Sequence, residues 1–589
     1  MNLIEWLENP AYSEFIPALT TLLKNAAWPE IEDAFYMHVM IGTGGIRGPL
    51  GIGPNRINSR TIGEAAQGLC FFINEYGQSA KSNGVVVGHE ARRESRAFAE
   101  LSCEIFAANG INSYLFNSMR STPEISFAVR HLEATAGVQI TASHNPRTDN
   151  GFKFYWSDGG QVVAPLDNQF MNLVNGVEKI DRLPLKTARE RGFVQTVGEE
   201  VDREYIDNVR SVSVSQSRSA IIVFSPIHGA GSTNVTPVLR EEQFNVTDVN
   251  TQKEPDETFP TAPGDLINPE YKEVMEQPVQ LAEQIGADVA ICSDPDADRI
   301  GVAAKKDLES NKLEILTGNQ VGAALIHFIL TERKRANRLP KNGLVLETLV
   351  TTNLISDIAK SFDVNVKSDL LVGFKFIAKT IGEMANKDDF IFAAEESLGY
   401  LTGNFVRDKD ASIGALLTSE MVSSLKDDGK TVSQYLDELY EKYGYYKNAQ
   451  LLIELPGKLG RQTMTEIMMN LRKNPPKNLG GLSIIGVKDL LGVANLSPES
   501  YSIGGSNDII SFELLDDSRS RITIRPSGTE PKLKIYIQRY EPVLASLQQT
   551  KRIIDDNVNN IIQDISSYLL EGLSLELMPS WNTSLKRII

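Results

Sequence analysis

Thr141-Ala142-Ser143-His144-Asn145-Pro146, continued by Arg147-Thr-Asp-Asn-Gly-Phe-Lys153, is the stretch that decides how this chain is read. Val138, Gln139 and Ile140 before it read as the end of a strand. Pro146 has no backbone N–H and so ends regular pairing. A small serine is therefore held on a tight polar loop at a strand end, where α/β proteins place their chemistry. Ser, Asn, Pro and Asp are also ordinary turn residues, so the loop needs company before it means more than a turn.

The company lies on both sides. Upstream, Gly42-Thr-Gly-Gly-Ile-Arg-Gly48 places four glycines in seven residues, a backbone that can approach a ligand closely. Downstream, the strand-like Ala287-Asp-Val-Ala-Ile-Cys292 runs into Ser293-Asp-Pro-Asp-Ala-Asp-Arg-Ile-Gly301. Asp294, Asp296 and Asp298 stand at i, i+2 and i+4. On a helix they would point ~200° apart at each step, and Pro295 disfavours a helix there. In an extended or curled loop alternate residues share a side. Three carboxylates on one side repel unless a hard cation compensates them, and oxygen-only ligands suit Mg²⁺, one ion per chain. A solvated acidic loop is the plain alternative. An EF-hand is disfavoured, because its glycine at position six and glutamate at position twelve are missing.

Composition narrows the class. At 589 residues the chain should form several domains, since cores stop growing near ~250–300 residues. The net charge of −17 argues against nucleic acid as a partner, because backbone binding needs a basic surface. It also makes any local Arg/Lys cluster informative. Cys70, Cys103 and Cys292 show no CxxC and no disulfide framework, the pattern of reduced thiols in a cytoplasmic protein. The N-terminus carries acid where a signal peptide needs base. No apolar run reaches ~20 residues, so no membrane span is expected.

Taken in order, the chain opens with a helical lead-in over residues 1–40 and then alternates strand and helix patterns to about residue 205. Within that stretch Gly84-Val-Val-Val-Gly88 reads as a buried strand, and His89-Glu-Ala-Arg-Arg-Glu-Ser-Arg96 as the opening of a helix. A second α/β unit, 206–317, starts with the strand and loop Ala220-Ile-Ile-Val-Phe-Ser-Pro-Ile-His-Gly. A third, 318–447, holds Val372-Gly-Phe-Lys375 and the strand end Glu395-Glu-Ser-Leu-Gly-Tyr400, whose acids and hydroxyl suit sugar hydroxyls. Arg407-Asp-Lys-Asp410 follows, leading an amphipathic helix. The fourth unit, 448–589, has a different texture: strand, helix, then a hairpin over 509–515 and 521–524 around Asp516-Asp-Ser-Arg519. After it comes Arg525-Pro-Ser-Gly-Thr-Glu-Pro531. Ser527, Thr529 and the N–H groups near Gly528 can wrap an anion, with Arg525 as a forked donor. No internal repeat is visible.

Ser-His-Asn-Pro with Asn-Gly-Phe-Lys resembles the active-serine loop of the α-D-phosphohexomutase family, the phosphoglucomutase and phosphomannomutase enzymes. Five motif loops stand in that family's order across nearly the whole chain. Two departures are small: Ile41 replaces a phenylalanine, and Val372 stands where threonine is usual. The resemblance implies an α/β fold of four domains around a central cleft, three related α/β domains with mixed sheets and a smaller α+β C-terminal domain. It implies Ser143 as the phosphoryl carrier, faced by Arg47. Asp294, Asp296 and Asp298 with Ser143 would hold Mg²⁺, and Arg299 matches the arginine beside them. Lys153 is the first candidate for general acid/base, with His144 and Lys375 as alternatives. Glu395 and Ser397 would bind sugar hydroxyls, and Arg525, Ser527, Gly528 and Thr529 the distal phosphate.

The implied activity is a hexose phosphomutase converting glucose 1-phosphate to glucose 6-phosphate, with glucose 1,6-bisphosphate as intermediate and activator. A phosphopentomutase or phosphomannomutase competes with it. From other classes come a serine/metal phosphatase, which would need water at the site, and a non-catalytic phosphosugar-binding relative, which should have lost a motif residue. None is missing. The sequence is silent on monomer or dimer.

Overall fold

The computed structural model describes residues 3–39, 41–42, 45–455, 457–492, 507–515, 519–527, 532–571 and 585–588. Three α/β/α domains are followed by a C-terminal domain built on a curled antiparallel sheet. No described helix is long and apolar enough to cross a membrane.

The first sheet runs, edge to edge, Ile41–Gly42, Gly45–Pro49, Asp149–Trp156, Ala136–Ile140, Val85–His89, Ser113–Phe116 and Val194–Val197. Val85–His89 and Ala136–Ile140 pair parallel and every residue of both is buried, as central strands covered by helices on both faces require. Asp149–Trp156 then returns antiparallel to Ala136–Ile140, so the serine loop is the turn between them.

That device recurs. In the second sheet Val289–Ser293 pairs parallel with Ile221–Ser225 and antiparallel with Ile300–Lys305, which leaves the aspartate loop as the turn. In the third, Phe390–Glu395 pairs parallel with Leu344–Thr348 and antiparallel with Gly399–Leu401, which leaves Glu396, Ser397 and Leu398 as the turn. The expectation of no repeat therefore holds for residue identity and fails for topology. A central parallel strand, a functional-looking turn and an antiparallel return occur three times, with different side chains each time.

The fourth sheet is wholly antiparallel, in the order Asn478–Leu479, Leu482–Asp489, Ile510–Leu514, Arg521–Pro526, Lys532–Glu541, Tyr445–Glu454 and Leu585–Ile588. The expected hairpin pairs Ile510 with Ile524; the Asp516 to Ser518 part of its turn lies outside the described residues. The helix Leu547–Glu571 buries Ile554, Val558, Ile561, Ile565 and Leu569 along one face. Each such side chain contributes about 1.5–3 kcal/mol of burial. The lead-in forms Leu3–Glu8, Ile16–Lys24 and Trp28–Phe35 around its own small core of Trp6, Tyr12, Phe15 and Leu19.

One expected element begins elsewhere. The helix drawn from His89 starts at Ser95, after a turn whose Glu94 takes φ 67°. The turn is held open because Glu90 and Arg92 fold back onto the serine loop rather than onto a helix face.

His327, on the helix Gly318–Arg335, contacts the Tyr435 hydroxyl through Nδ1 at 2.5 Å and packs against Phe362. Burial lowers its pKa from 6.5 to about 4, with Lys442 adding to the effect. Between those values the unfolded chain binds a proton that the folded chain does not, so stability falls as pH drops through the window. Wild type should lose about 2 kcal/mol relative to His327→Gln between pH 7 and pH 5, measured by denaturant unfolding. A difference that does not change with pH would assign the acid sensitivity to other groups.

Candidate active site

Ser143 sits at 0% exposure in the turn after Ala136–Ile140, with φ 53°, a left-handed conformation unusual for a residue with a Cβ. Its Oγ lies 3.3 Å from Asp294 Oδ2 and 3.3 Å from His144 Nδ1. The aspartate loop from the second domain therefore meets the serine loop from the first.

The aspartate loop is curled tightly on itself. Asp294 Oδ1 accepts the Asp298 and Arg299 N–H groups at 3.1 and 3.0 Å, and Ala297 takes φ 51°. The neighbouring turn packs so closely that a Cβ at Gly229 would fall 2.5 Å from Pro295 Cα. This brings one carboxylate oxygen from each of Asp294, Asp296 and Asp298 within 4.8 Å of the others, all fully buried. Asp296 Oδ1 and Asp298 Oδ1 are buried without a hydrogen-bond partner. Converging hard oxygens with unsatisfied lone pairs fit a hard divalent cation, so the triad could hold a metal ion.

Three cations compensate the triad, one from each α/β domain. Lys153 Nζ donates to Asp296 Oδ2 at 2.6 Å and Asp298 Oδ2 at 2.9 Å. Lys409 Nζ donates to Asp298 Oδ2 at 2.8 Å. Arg299 Nε lies 3.6 Å from Asp298 Oδ1. The electrostatics follow. Burial pushes Asp294 well above its ordinary range, helped by Asp298 and Asp296. Burial also raises Asp298, but Lys153, Lys409 and Arg299 more than offset it and hold that carboxyl far below the usual range. Burial, Arg299 and Arg47 together hold His144 well below 6.5, so it stands beside the serine as neutral imidazole.

The third turn closes the other side. Ile300 N–H donates to Leu398 C=O at 3.1 Å, joining the aspartate turn to the Glu396–Leu398 turn. Glu395 and Ser397 are 4% and 9% exposed, and burial raises Glu395. A Cβ at Gly399 would fall 2.5 Å from Lys409 Cδ, so this turn packs directly against the Lys409 side chain. Arg47, on Gly45–Pro49, has a buried Nε with no hydrogen-bond partner. From the fourth sheet, Lys534 and Lys532 act on His144, so that sheet presents cations to the same cleft. Arg525 lies on Arg521–Pro526, paired with Lys534, and Ser527 N–H donates to Lys532 C=O at 2.8 Å. Gly528 and Thr529 lie outside the described residues.

Lys375 goes elsewhere. It lies on the helix Phe374–Glu383 and pairs with Asp167 of the first domain at 3.3 Å. Conversely, motif reading passed over Lys409, Thr122 and the Glu90–Arg92 pair. Thr122 Oγ1 donates to Asp296 Oδ2 at 2.6 Å and its N–H to Asp296 C=O at 2.8 Å. The only local signals were Pro after Thr122 and a lysine between two acids at Asp408-Lys409-Asp410.

Family models agree with this construction. Phosphoglucomutase/phosphomannomutase alpha/beta/alpha domain I matches residues 38–181, domain II residues 203–307 and domain III residues 317–443. The chain belongs to the phosphoglucomutase/phosphomannomutase family. A phosphoglucomutase of Staphylococcus aureus (strain N315) is 33% identical over 516 residues, 86% of this chain and 91% of that protein. One from Staphylococcus haemolyticus is 31% identical over 577 residues, 96% of this chain and 98% of that protein. The fold also matches parafusin, a phosphoglucomutase from Paramecium, at TM-score 0.62 and 16% identity, covering 92% of this chain and 96% of that one. A family protein from Burkholderia thailandensis gives TM-score 0.61 at 15% identity, covering 90% and 98%. As a member of this family the chain is a phosphosugar mutase, an isomerase that works by phosphotransfer and acts on sugar phosphates.

If the triad holds a cation in the folded state alone, that cation stabilises the fold. At a hundredfold excess over its Kd the gain is about 2.7 kcal/mol. Added Mn²⁺ should raise the Tm of metal-stripped protein, and Asp294→Asn/Asp298→Asn should remove the rise. An equal rise in the double variant would move the cation elsewhere.

Proposed function

We propose that the chain moves a phosphoryl group between C1 and C6 of a hexose, interconverting glucose 1-phosphate and glucose 6-phosphate through phospho-Ser143 and glucose 1,6-bisphosphate. The observation that carries this reading is Ser143 Oγ, 3.3 Å from Asp294 Oδ2, in a buried cluster of three acids and three bases. The Staphylococcus relatives, both named phosphoglucomutases, support glucose as the sugar.

Asp294, Asp296 and Asp298, with an oxygen of phospho-Ser143, would hold one Mg²⁺, which supplies positive charge against the transferred phosphoryl group. In the forward half-reaction a sugar hydroxyl oxygen forms a bond to phosphorus as the bond from phosphorus to Ser143 Oγ breaks. The hydroxyl proton leaves and Ser143 Oγ gains one, so protons balance. Lys153 is the proposed carrier. His144, whose Nδ1 faces Oγ at 3.3 Å, is the second candidate. Lys375, paired with Asp167, has the weakest support of the three.

Arg47 and Arg299 offer charge to the reacting phosphate. Glu395 and Ser397 accept from and donate to sugar hydroxyls. Arg525 and Ser527, with Gly528 and Thr529, grip the phosphate that is not reacting. After transfer the bisphosphate turns over and presents its other end to Ser143. The buried serine limits water, which favours rearrangement over hydrolysis. Reduced, buried Cys70, Cys103 and Cys292 support a cytoplasmic setting.

Three experiments test this. Purified protein should carry one phosphoryl group on the peptide containing Ser143, and Ser143→Ala should lose mutase activity; near-normal turnover by that variant sinks the mechanism. The same coupled assay run with glucose, mannose and ribose 1-phosphates should favour glucose, and a preference for ribose would replace the hexose assignment. Arg525→Ala should lower kcat/KM roughly ten- to a hundredfold, about 1.5–3 kcal/mol for one charge-assisted phosphate contact. It should leave Mn²⁺ binding intact. Kinetics within a factor of about two of wild type would mean that the distal phosphate is held elsewhere.

A further inference from the structure

The loop that carries Ser143 is held from behind by a side-chain device that none of the proposed roles uses. Arg92 is fully buried, and all five of its N–H donors are engaged. Nε donates to Glu90 Oε1 at 2.5 Å. Nη1 donates to the Pro146 and Asp149 carbonyls at 2.6 and 2.9 Å. Nη2 donates to the Ser143 and Asn145 carbonyls at 2.5 and 2.7 Å. Four of its five acceptors are therefore main-chain oxygens of one short loop. The ring then closes. Thr141 Oγ1 donates to the same Glu90 Oε1 at 2.9 Å and accepts the Ser143 N–H at 2.7 Å. Both peptide groups flanking Ser143 Cα are thus fixed: its N–H through Thr141 and Glu90, its C=O through Arg92.

We propose that Glu90, Arg92 and Thr141 are positioning residues that impose the left-handed conformation of Ser143 and so aim its Oγ at the transfer site. The proposal rests on the reading of Ser143 as phosphoryl carrier. A serine at φ 53° is disfavoured on its own and persists only where its surroundings over-determine it. The ring supplies that determination. If it relaxes, Ser143 returns to negative φ and Oγ swings away from Asp294 and His144. A core-packing role alone fits the surroundings poorly. All five Arg92 donors are spent on Glu90 and on the main chain of the Ser143 loop, and the pair borders an open cleft of about 970 Å³ that Ser232, Thr233 and Asp256 line from the second domain. Arginine is needed because lysine offers three donors and no planar fork.

Arg92→Ala would leave Glu90 buried and unpaired and risks misfolding, so the decisive variant is Thr141→Val. It keeps shape and removes the hydroxyl that links Glu90 to Ser143 N–H. It should lower kcat at least about tenfold, in the range a misplaced reacting group produces. KM for glucose 1-phosphate should stay within twofold and Tm within a few degrees. The rate at which Ser143 gains a phosphoryl group from glucose 1,6-bisphosphate, followed by intact mass, should fall in step with kcat. Thr141→Ser should recover both rates to within threefold, and Arg92→Lys should lose more than Thr141→Val. Wild-type kcat and phosphorylation rate in Thr141→Val overturn the proposal, as does a loss that tracks Tm and is recovered on cooling. Ser143→Ala runs alongside: if it stays active the carrier reading fails, whereas inactive Ser143→Ala with unaffected Thr141→Val fails the positioning claim alone.

Discussion

Three buried carboxylates within 4.8 Å of one another are the constraint on which the rest of the structure turns. Isolated ions in the interior are not tolerated, and a buried charge must be paired and hydrogen-bonded. Here the pairing is distributed: Lys153 comes from the first domain, Arg299 from the second and Lys409 from the third. Thr122 N–H bonds to Asp296 C=O, and Ala411 N–H to Ala297 C=O at 3.2 Å. The three α/β domains are thus tied at one point by their charge balance. Lys153 carries the most of this balance, since it is the cation that meets Asp296 as well as Asp298, whereas Asp298 is also met by Lys409 and Arg299.

The same balance bears on the proposed chemistry. Asp294, Asp296 and Asp298 face an equal number of cationic side chains, Lys153, Lys409 and Arg299. A phosphoryl group on Ser143 adds about two negative charges, and a divalent cation adds two positive ones. The two additions cancel each other; either alone shifts the local charge by about two. In the proposed reading, phosphorylation of Ser143 and occupancy of the triad are therefore mutually supportive. Lys153 and Lys409 supply the charge that the aspartates need in the absence of both.

Local patterns announced the loops and missed their braces. The Asp294, Asp296, Asp298 spacing and the Ser143 loop were legible because each is compact in sequence and sits at the end of an apolar strand. The alternation of strands and helices gave the α/β class for the same reason. Lys409 was not legible: its partner Asp298 lies 111 residues away, and a lysine between two acids reads as a solvated turn. Arg92 looked like the start of a helix because Glu, Ala and Arg are good helix formers, yet tertiary hydrogen bonds to the Ser143 loop overrode that preference and delayed the helix to Ser95. The three related α/β domains were implied by the family resemblance and not by any internal sequence repeat, because the three turns share a position in the sheet and no residue pattern.

A chain of net charge −17 that acts on anions must overcome its own field locally. At physiological ionic strength, surface charges more than ~8 Å away are largely screened. Partly desolvated cations at the cleft are screened much less. Arg299, Arg47, Lys534 and Lys532 all act on the buried imidazole of His144, so four cations from three domains meet where the phosphosugar is proposed to bind. Two of them, Lys532 and Lys534, come from the C-terminal sheet. The positive potential beside Ser143 therefore draws on side chains of the first, second and fourth domains at once.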